Sequence, residues 1–319
     1  MRSRALLLTA FLVGVAASAR PADAARLYVV DQEEDNVVVV DTDSDSVVER
    51  LSVPDGPAGV AVSEDGARLV TTHPESGLVA VTDLATGETV ARLETEGQPF
   101  GVVVEPGGYA LLVSDWARSV VARLPLNGGE DGAEVPVGKA PAGLVQDAAR
   151  GRIFVANRES NDISVLNAAD LRVIGRVETG AAPFGLALAP DGSRLYVANV
   201  QSADVTVIDA ESLETVGTVP VGEMPYAVSV SPDGGDVLVT NQHGNSVTRI
   251  DAATLESEAT IPVGEYPEGV VHATSSKAYV ANWFSGELSV LDLAADREAG
   301  RIPVGTGPRN LAFAGRGRE

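Results

Sequence analysis

Seven prolines recur along the chain at Pro57, Pro99, Pro141, Pro183, Pro225, Pro267 and Pro308, and the residue after each one varies. Those residues are Ala58, Phe100, Ala142, Phe184, Tyr226, Glu268 and Arg309. Three aromatics, one carboxylate and one guanidinium at equivalent positions make an asymmetric, amphipathic set. A second set is expected on the same face, in the loops between the second and third strands of each repeat: His73, Trp116, Arg158, His243, Trp283 and Phe284. Aromatic rings and arginine are the residue types enriched where binding energy concentrates. The chemistry these residues offer is recognition: ring contacts, cation–π contacts and charge-assisted hydrogen bonds. Glu268 and Arg309 come from neighbouring repeats, and their simplest relation is a mutual salt bridge.

The inventory for bond-breaking is poor. The chain has no cysteine, no Gly-x-Ser-x-Gly elbow, no His-Glu-x-x-His, no glycine-rich phosphate loop and no haem-attachment motif. Its three histidines are far apart in sequence, and nothing in their spacing makes them converge on a metal. His272 falls within an apolar strand pattern and reads as a core histidine. The run Asp41-Thr42-Asp43-Ser44-Asp45-Ser46 imitates the start of a calcium loop. It lacks the glycine at the sixth position, and Ser52 stands where the bidentate glutamate belongs, so it reads as a solvated acidic hairpin. No catalytic residue, metal site or cofactor is assigned.

The elements that must hold these residues follow from a repeat. End-of-strand markers Asp31, His73, Asp115, Asn157, Asn199, Asn241 and Asn282 are 42 residues apart five times and 41 once. Ten residues after each comes a second marker, Asp41, Asp83, Pro125, Asn167, Asp209, Asp251 or Asp292. A period of this size indicates propeller blades or a solenoid. In the copy at 194–235, "RLYVAN", "DVTVID", "ETVGTVPVG" and "YAVSVSPDGG" read as four short strands. Alternating β-branched residues bounded by Asn, Asp, Gly and Pro are strand signals. The Asp-Gly pairs at 65–66, 191–192 and 233–234 suit tight hairpins, and the second-marker aspartates are expected to cap the following turns.

The predicted fold is all-β: a seven-bladed β-propeller with four antiparallel strands per blade, filling residues 25–319 as one domain. Its copies begin near 26, 68, 110, 152, 194, 236 and 277. The chain enters at the second strand of a blade and ends on a first-strand pattern. Residues 310–314 are therefore expected to be the innermost strand of the blade whose other strands lie in 26–53. That closure removes an open sheet edge and makes loss of the last residues costly. The small residues Gly59, Gly101, Gly143, Gly185, Ala227, Gly269 and Asn310 should let the inner strands approach the axis. The variable residues just before them should then ring the channel mouth. The third copy departs most, around 127–129.

The segments Tyr196-Val197-Ala198-Asn199 and Tyr279-Val280-Ala281-Asn282 resemble the signature of the YVTN-repeat β-propellers, as do "VID" at 207–209, "VPVG" at 219–222 and "SPDG" at 231–234. The resemblance extends over all seven copies. Proteins of this kind include surface-layer proteins, periplasmic proteins, and proteins associated with pyrroloquinoline-quinone-dependent catabolism. Familiar quinoprotein dehydrogenases place their cofactor in eight-bladed propellers with tryptophan docking motifs. With seven copies and two tryptophans, this chain is not assigned that cofactor.

Residues 1–24 combine Arg2 and Arg4, a short apolar run from Ala5 to Ala17, and two small-x-small sites ending at Ala19 and Ala24. This is the pattern of a secretory signal peptide, too short to span a bilayer. The expected location is periplasmic or secreted, without a stable membrane anchor. Formal net charge is -22, and removing 1–24 takes away three arginines and one aspartate. Such acidity repels phosphate backbones and argues against nucleic-acid binding. Without disulfides, stability must come from the core.

The expected function is non-catalytic: an exported, monomeric binding or scaffold propeller that presents its channel mouth to a protein or small-molecule partner. Two other readings stay open. A lactonase- or lyase-type enzyme would need His73, Glu268 and His243 to converge on the channel. An accessory role in a periplasmic quinoprotein or metal-dependent pathway is suggested by the resemblance alone.

Overall fold

The computed structural model describes residues 25–126 and 132–315. The expected leader therefore lies outside the described residues, as does the most divergent part of the third copy. The described residues form seven four-stranded antiparallel sheets. Their innermost strands are Pro308–Ala314 in blade 1, Val60–Val62 in blade 2, Pro99–Val104 in blade 3 and Pro141–Asp147 in blade 4. Blades 5, 6 and 7 begin with Pro183–Leu188, Pro225–Val230 and Pro267–Thr274. Each inner strand packs on the next, and blade 1 returns to blade 2, so the ring is closed.

Closure happens as the repeat dictates. Pro308–Ala314 pairs antiparallel with Arg26–Asp31, with Leu27 opposite Phe313 and Val29 opposite Leu311. The latch is reinforced at its upper end, where the Asp31 Oδ1 accepts the buried Gly307 N–H at 3.0 Å. At its lower end the Lys277 ammonium and the Tyr279 hydroxyl of blade 7 both donate to the Asp45 carboxylate of blade 1.

The burial pattern shows why each strand has its composition. The second and third strands of a blade are covered by neighbouring blades on both faces. In blade 5, Arg194–Asn199 and Asp204–Asp209 are buried throughout except at their ends. They accordingly read as continuous apolar runs. The outer strand Thr215–Pro220 is largely exposed. One core cluster shows the sheet-on-sheet contact, with Tyr196, Ala198, Val205 and Val207 of blade 5 against Val237, Val239 and Ile250 of blade 6. Burial of such side chains contributes roughly 1.5–3 kcal/mol each.

Polar markers at the strand ends have two solutions. In four blades the marker is Asn, and its amide donates to a hydroxyl seven residues later: Asn157 to Ser164, Asn199 to Thr206, Asn241 to Thr248 and Asn282 to Ser289. The other three blades carry Val38, Ala80 and Ala122 at that seventh position, and their markers are Asp31, His73 and Asp115. An amide without its acceptor would be a buried unsatisfied donor, so Asn is replaced where the hydroxyl is missing.

The second markers do cap turns. Asp41 Oδ1 accepts the N–H of Asp43 and of Ser44, and Asp209 and Asp251 do the same two and three residues on. The Ser44 N–H and hydroxyl, with the Arg26 guanidinium, hold the Asp41 carboxyl down to about 2. The acidic hairpin is thus an aspartate turn folded on itself. Among the described residues no helix is long and apolar enough to cross a membrane.

Candidate functional site

Two backbone features build the mouth. After each second strand comes a four-residue loop whose last residue is left-handed: Asp35, Gly77, Ser119, Asn161, Ala203, Asn245 or Gly286. The first residue of that loop stands over the ring. It is Gln32, Pro74, Trp116, Arg158, Val200, Gln242 or Trp283 in blade order. Its N–H donates to the carbonyl of the residue just before the repeated proline: Trp116 to Gln98, Arg158 to Ala140, Val200 to Ala182, Gln242 to Met224, and Trp283 to Tyr266, all at 3.0–3.1 Å. Gln32 bonds Gly307 in the same way. Pro74 has no N–H to give. Each blade therefore delivers up to three side chains to one rim: the loop residue and the residues before and after the proline.

The convergence makes a cavity of about 470 Å³, lined by Phe100, Trp116, Arg158, Phe184, Tyr226, Glu268 and Arg309 together with Gln32, Gln98, Gln242, Met224 and Tyr266. Rings form its floor. Phe100 meets Phe184 edge-on at 5.4 Å, Phe184 overlaps Tyr226 at 4.3 Å, and Trp116 touches both phenylalanines. A second cavity of about 270 Å³ lies lower in the channel. Phe100, Phe184 and Tyr226 line both cavities, so these rings are the partition between them. The mouth is a blind pocket with an aromatic bottom.

Its two sides are electrostatically different. On the side of blades 7 and 1, Arg309 Nε lies 3.0 Å from Glu268 Oε2. The N–H misses the oxygen, leaving both atoms without an aligned hydrogen bond. The contact is a close charge pair. Arg309 also donates to Gln32 Oε1 at 2.7 Å and to the Tyr226 hydroxyl at 3.2 Å, and its guanidinium lies over the rings of Phe100 and Trp283. Gln242 donates to the other Glu268 oxygen at 3.1 Å. Glu268 is only 5 % exposed, and burial pushes its carboxyl up against the opposing pull of Arg309. Burial also pushes the Tyr226 phenol up, with the Glu268 charge adding to it. On the side of blade 4, Arg158 lies over the Trp116 ring at 5.8 Å. No carboxylate among the described residues is within ion-pairing distance of its guanidinium.

The structure gathers most of the sequence-selected residues and separates others. Phe100, Trp116, Arg158, Phe184, Tyr226, Glu268 and Arg309 line one cavity, and the Glu268–Arg309 pair forms between adjacent blades as expected. Trp283 backs Arg309 at the rim. His243, Tyr266 and Phe284 continue outward as a ring ridge, with centroids 6.0 and 5.0 Å apart, and Phe284 is 67 % exposed. His73 does not belong to the site. It is fully buried, with Nε2 on Thr71 Oγ1 and Nδ1 on the Asp55 carbonyl, and it fills the place of the marker asparagine. The trio His73, Glu268 and His243 therefore does not meet on the channel. His272 is buried beside Ser229 in the core, as its pattern indicated. The residues missed were Gln32, Pro74, Glu75, Gln98, Val200, Met224, Gln242 and Tyr266. The signal for all but Glu75 was positional: each follows a marker or precedes a repeated proline.

Residues 117–235 match the family model of the YNCE-like beta-propeller. A comparison with curated protein sequences finds no match. Among solved structures, a functionally unknown protein from Desulfotomaculum acetoxidans superimposes with a TM-score of 0.80 at 16 % identity, over 91 % of this chain and 99 % of that one. The hydrazine synthase of Kuenenia stuttgartiensis gives 0.76 at 16 %, over 89 % and 99 %. A streptogramin B lyase gives 0.71 at 18 %, over 90 % and 91 %. At these identities the likeness is one of fold, and the fold hosts unrelated functions.

Proposed function

We propose that this chain is a non-catalytic binding propeller whose blind mouth pocket holds a small molecule. The observation that carries the reading is the cavity of about 470 Å³ closed by Phe100, Phe184 and Tyr226 and flanked by unlike charged walls. Ligand pockets of roughly 300–1,000 Å³ with apolar linings and a few placed polar groups are the common form of such sites. A lyase reading, by analogy with one structural neighbour, draws less support. His73 is committed to backbone and Thr71, His243 leans on Tyr266, and no histidine faces Glu268 across the pocket.

A protein partner is the second reading, favoured by one feature: the exposed ridge of His243, Tyr266 and Phe284 runs outward from the pocket edge. Export rests on the leader pattern of residues 1–24, and Ala25 already gives its carbonyl to the sheet through Thr42. The test of mouth binding is a fragment library screened by ligand-observed NMR. Hits should vanish with Phe184→Ala and persist with Val216→Ala on the outer strand. Hits indifferent to Phe184 would refute mouth binding.

A further inference from the structure

We propose that the mouth pocket takes an aliphatic monocarboxylate, its charge held by Arg158 at the blade 4 corner and its apolar body laid along Val200 and Met224. The inference rests on the mouth-binding reading and adds the chemistry of the ligand.

The cation specifies the head group. Arginines elsewhere are engaged with carboxylates, as Arg118, Arg123 and Arg249 are, or with backbone carbonyls, as Arg152 and Arg194 are. Arg68, Arg92 and Arg172 have no such partner among the described residues, and all of them are exposed. Arg158 has none either, yet it is part-buried and lines the cavity. Its guanidinium lies 5.8 Å over the Trp116 ring, a contact that steadies the side chain and occupies none of its N–H donors. Glu159, next in sequence, is exposed and forms no ion pair with it. A fork with open donors matches a carboxylate through two parallel hydrogen bonds.

Lys139 stands in the adjoining loop, its N–H donating to Ser160 Oγ at 2.8 Å and its carbonyl accepting the Glu159 N–H at 3.2 Å. The chain's other lysine, Lys277, is held by Asp45 at the lower end of the latch. Glu33, Glu75, Glu96, Glu223 and Glu265 are exposed in other loops of the mouth face. Blade 4 is thus the open cationic corner of an acidic rim. Screening at physiological salt confines the field of that rim to about 8 Å, so an anion is not turned away at a distance.

The walls specify the rest. Val200 of blade 5 and Met224 at the entry to blade 6 follow Arg158 round the cavity. Valine gives an apolar surface, and methionine one that adapts to the shape laid on it. On the opposite arc Arg309 already faces Glu268 at 3.0 Å, and Gln32 and Gln242 are bonded to that pair. A second negative charge on the ligand therefore finds no open cation in the cavity, and Glu75 at its edge opposes one. A neutral head group gains less from the guanidinium than an ionised one.

The experiment is calorimetric titration of the full chain with octanoate, kept below its aggregation range, against hexanoate, octanamide and the dianion suberate. Tryptophan emission is followed in parallel, because Arg158 lies over the Trp116 ring. Octanoate should bind roughly tenfold tighter than octanamide or suberate. It should also bind about tenfold tighter than hexanoate, which is two methylenes shorter. Arg158→Gln, checked for native melting, should cost octanoate about tenfold and leave octanamide unchanged. Val200→Thr should shrink the gain from hexanoate to octanoate. Equal binding of octanoate and octanamide, equal losses for both in Arg158→Gln, or tighter binding of suberate would overturn the assignment of charge. No gain from hexanoate to octanoate would overturn the apolar wall. Absence of carboxylate binding in a protein whose fragment hits depend on Phe184 would sink the proposal and leave the mouth-binding reading standing. Fragments that ignore Phe184 would remove the reading itself.

Discussion

His272 shows how much one side chain can impose. It sits in the innermost strand of blade 7 where blade 5 carries Leu188, and it is 4 % exposed. Its Nδ1 faces Ser229 Oγ at 2.9 Å, and that same oxygen accepts the His272 backbone N–H at 3.0 Å. The ring's other nitrogen, Nε2, is buried without a hydrogen-bond partner among the described residues. Burial, opposed weakly by Asp233, pushes the imidazole down to about 4. An unfolded chain takes up this proton near pH 6.5, whereas the folded chain resists until about pH 4. Stability is therefore lost as pH falls through that window, by about 3 kcal/mol from this group alone. The urea midpoint of His272→Leu should fall less between pH 7 and pH 4.5 than that of the natural chain. Equal falls would mean that the ring is not held neutral. Some slope should remain in the variant, because burial also pushes His73 down.

Within a blade, the inner strand is the element under tightest constraint. Its glycine lies against the backbone of the next blade. A Cβ at Gly185 would come 2.3 Å from the Tyr226 carbonyl oxygen and 2.9 Å from the Ala227 Cα, neither of which is a movable side-chain end. Hydroxyls stitch the same contact elsewhere, with Thr72 donating to the Phe100 carbonyl, Ser114 to Ala142 and Thr240 to Glu268. Gly185→Val should cost about 3 kcal/mol or more by forcing blades 5 and 6 apart. Gly300→Ala meets nothing within 4 Å at an ordinary φ and should stay within about 0.5 kcal/mol. Denaturant midpoints of the two variants measure the contrast, and similar values would deny that blade approach limits this position. The neighbours of that glycine are the floor rings, so the element that packs the ring also aims the site.

The whole molecule is held as a circle by one strand pairing and its flanking bonds. Stopping the chain after Gly307 removes Pro308–Ala314, strips Leu311 and Phe313 from the cores beside blade 1, and uncovers the edge of Arg26–Asp31. It also deletes Arg309 and leaves Glu268 buried without its counter-charge. An exposed edge invites pairing with another chain, and an unpaired buried charge costs about 3–5 kcal/mol. The truncated protein should melt at lower temperature and self-associate on size exclusion. A monomer with unchanged melting would show that the ring does not depend on its latch.

Period, strand composition and the closing pairing could all be read from the chain. Every blade solves the same packing problem, so the solution is written seven times, and an unmatched first-strand pattern at the end has only one place to pair. Phe100, Phe184, Tyr226, Glu268 and Arg309 were legible for the complementary reason, being irregular at a regular position. What the chain could not show was which irregular residues share a rim and which are sealed. His73 differs from its equivalents just as Trp116 does. Yet it lies on the strand itself, where Ala80 leaves no hydroxyl for an asparagine, while Trp116 lies one residue later on the loop. Gln32, Gln242 and Tyr266 are ordinary by type; Tyr266 stands two residues before Glu268, but only the curvature of the ring brings the distant segments of Gln32 and Gln242 to the same pocket. Local pattern is set by bonds along and between adjacent strands. The pocket is set by the closure of all seven, which no single repeat contains.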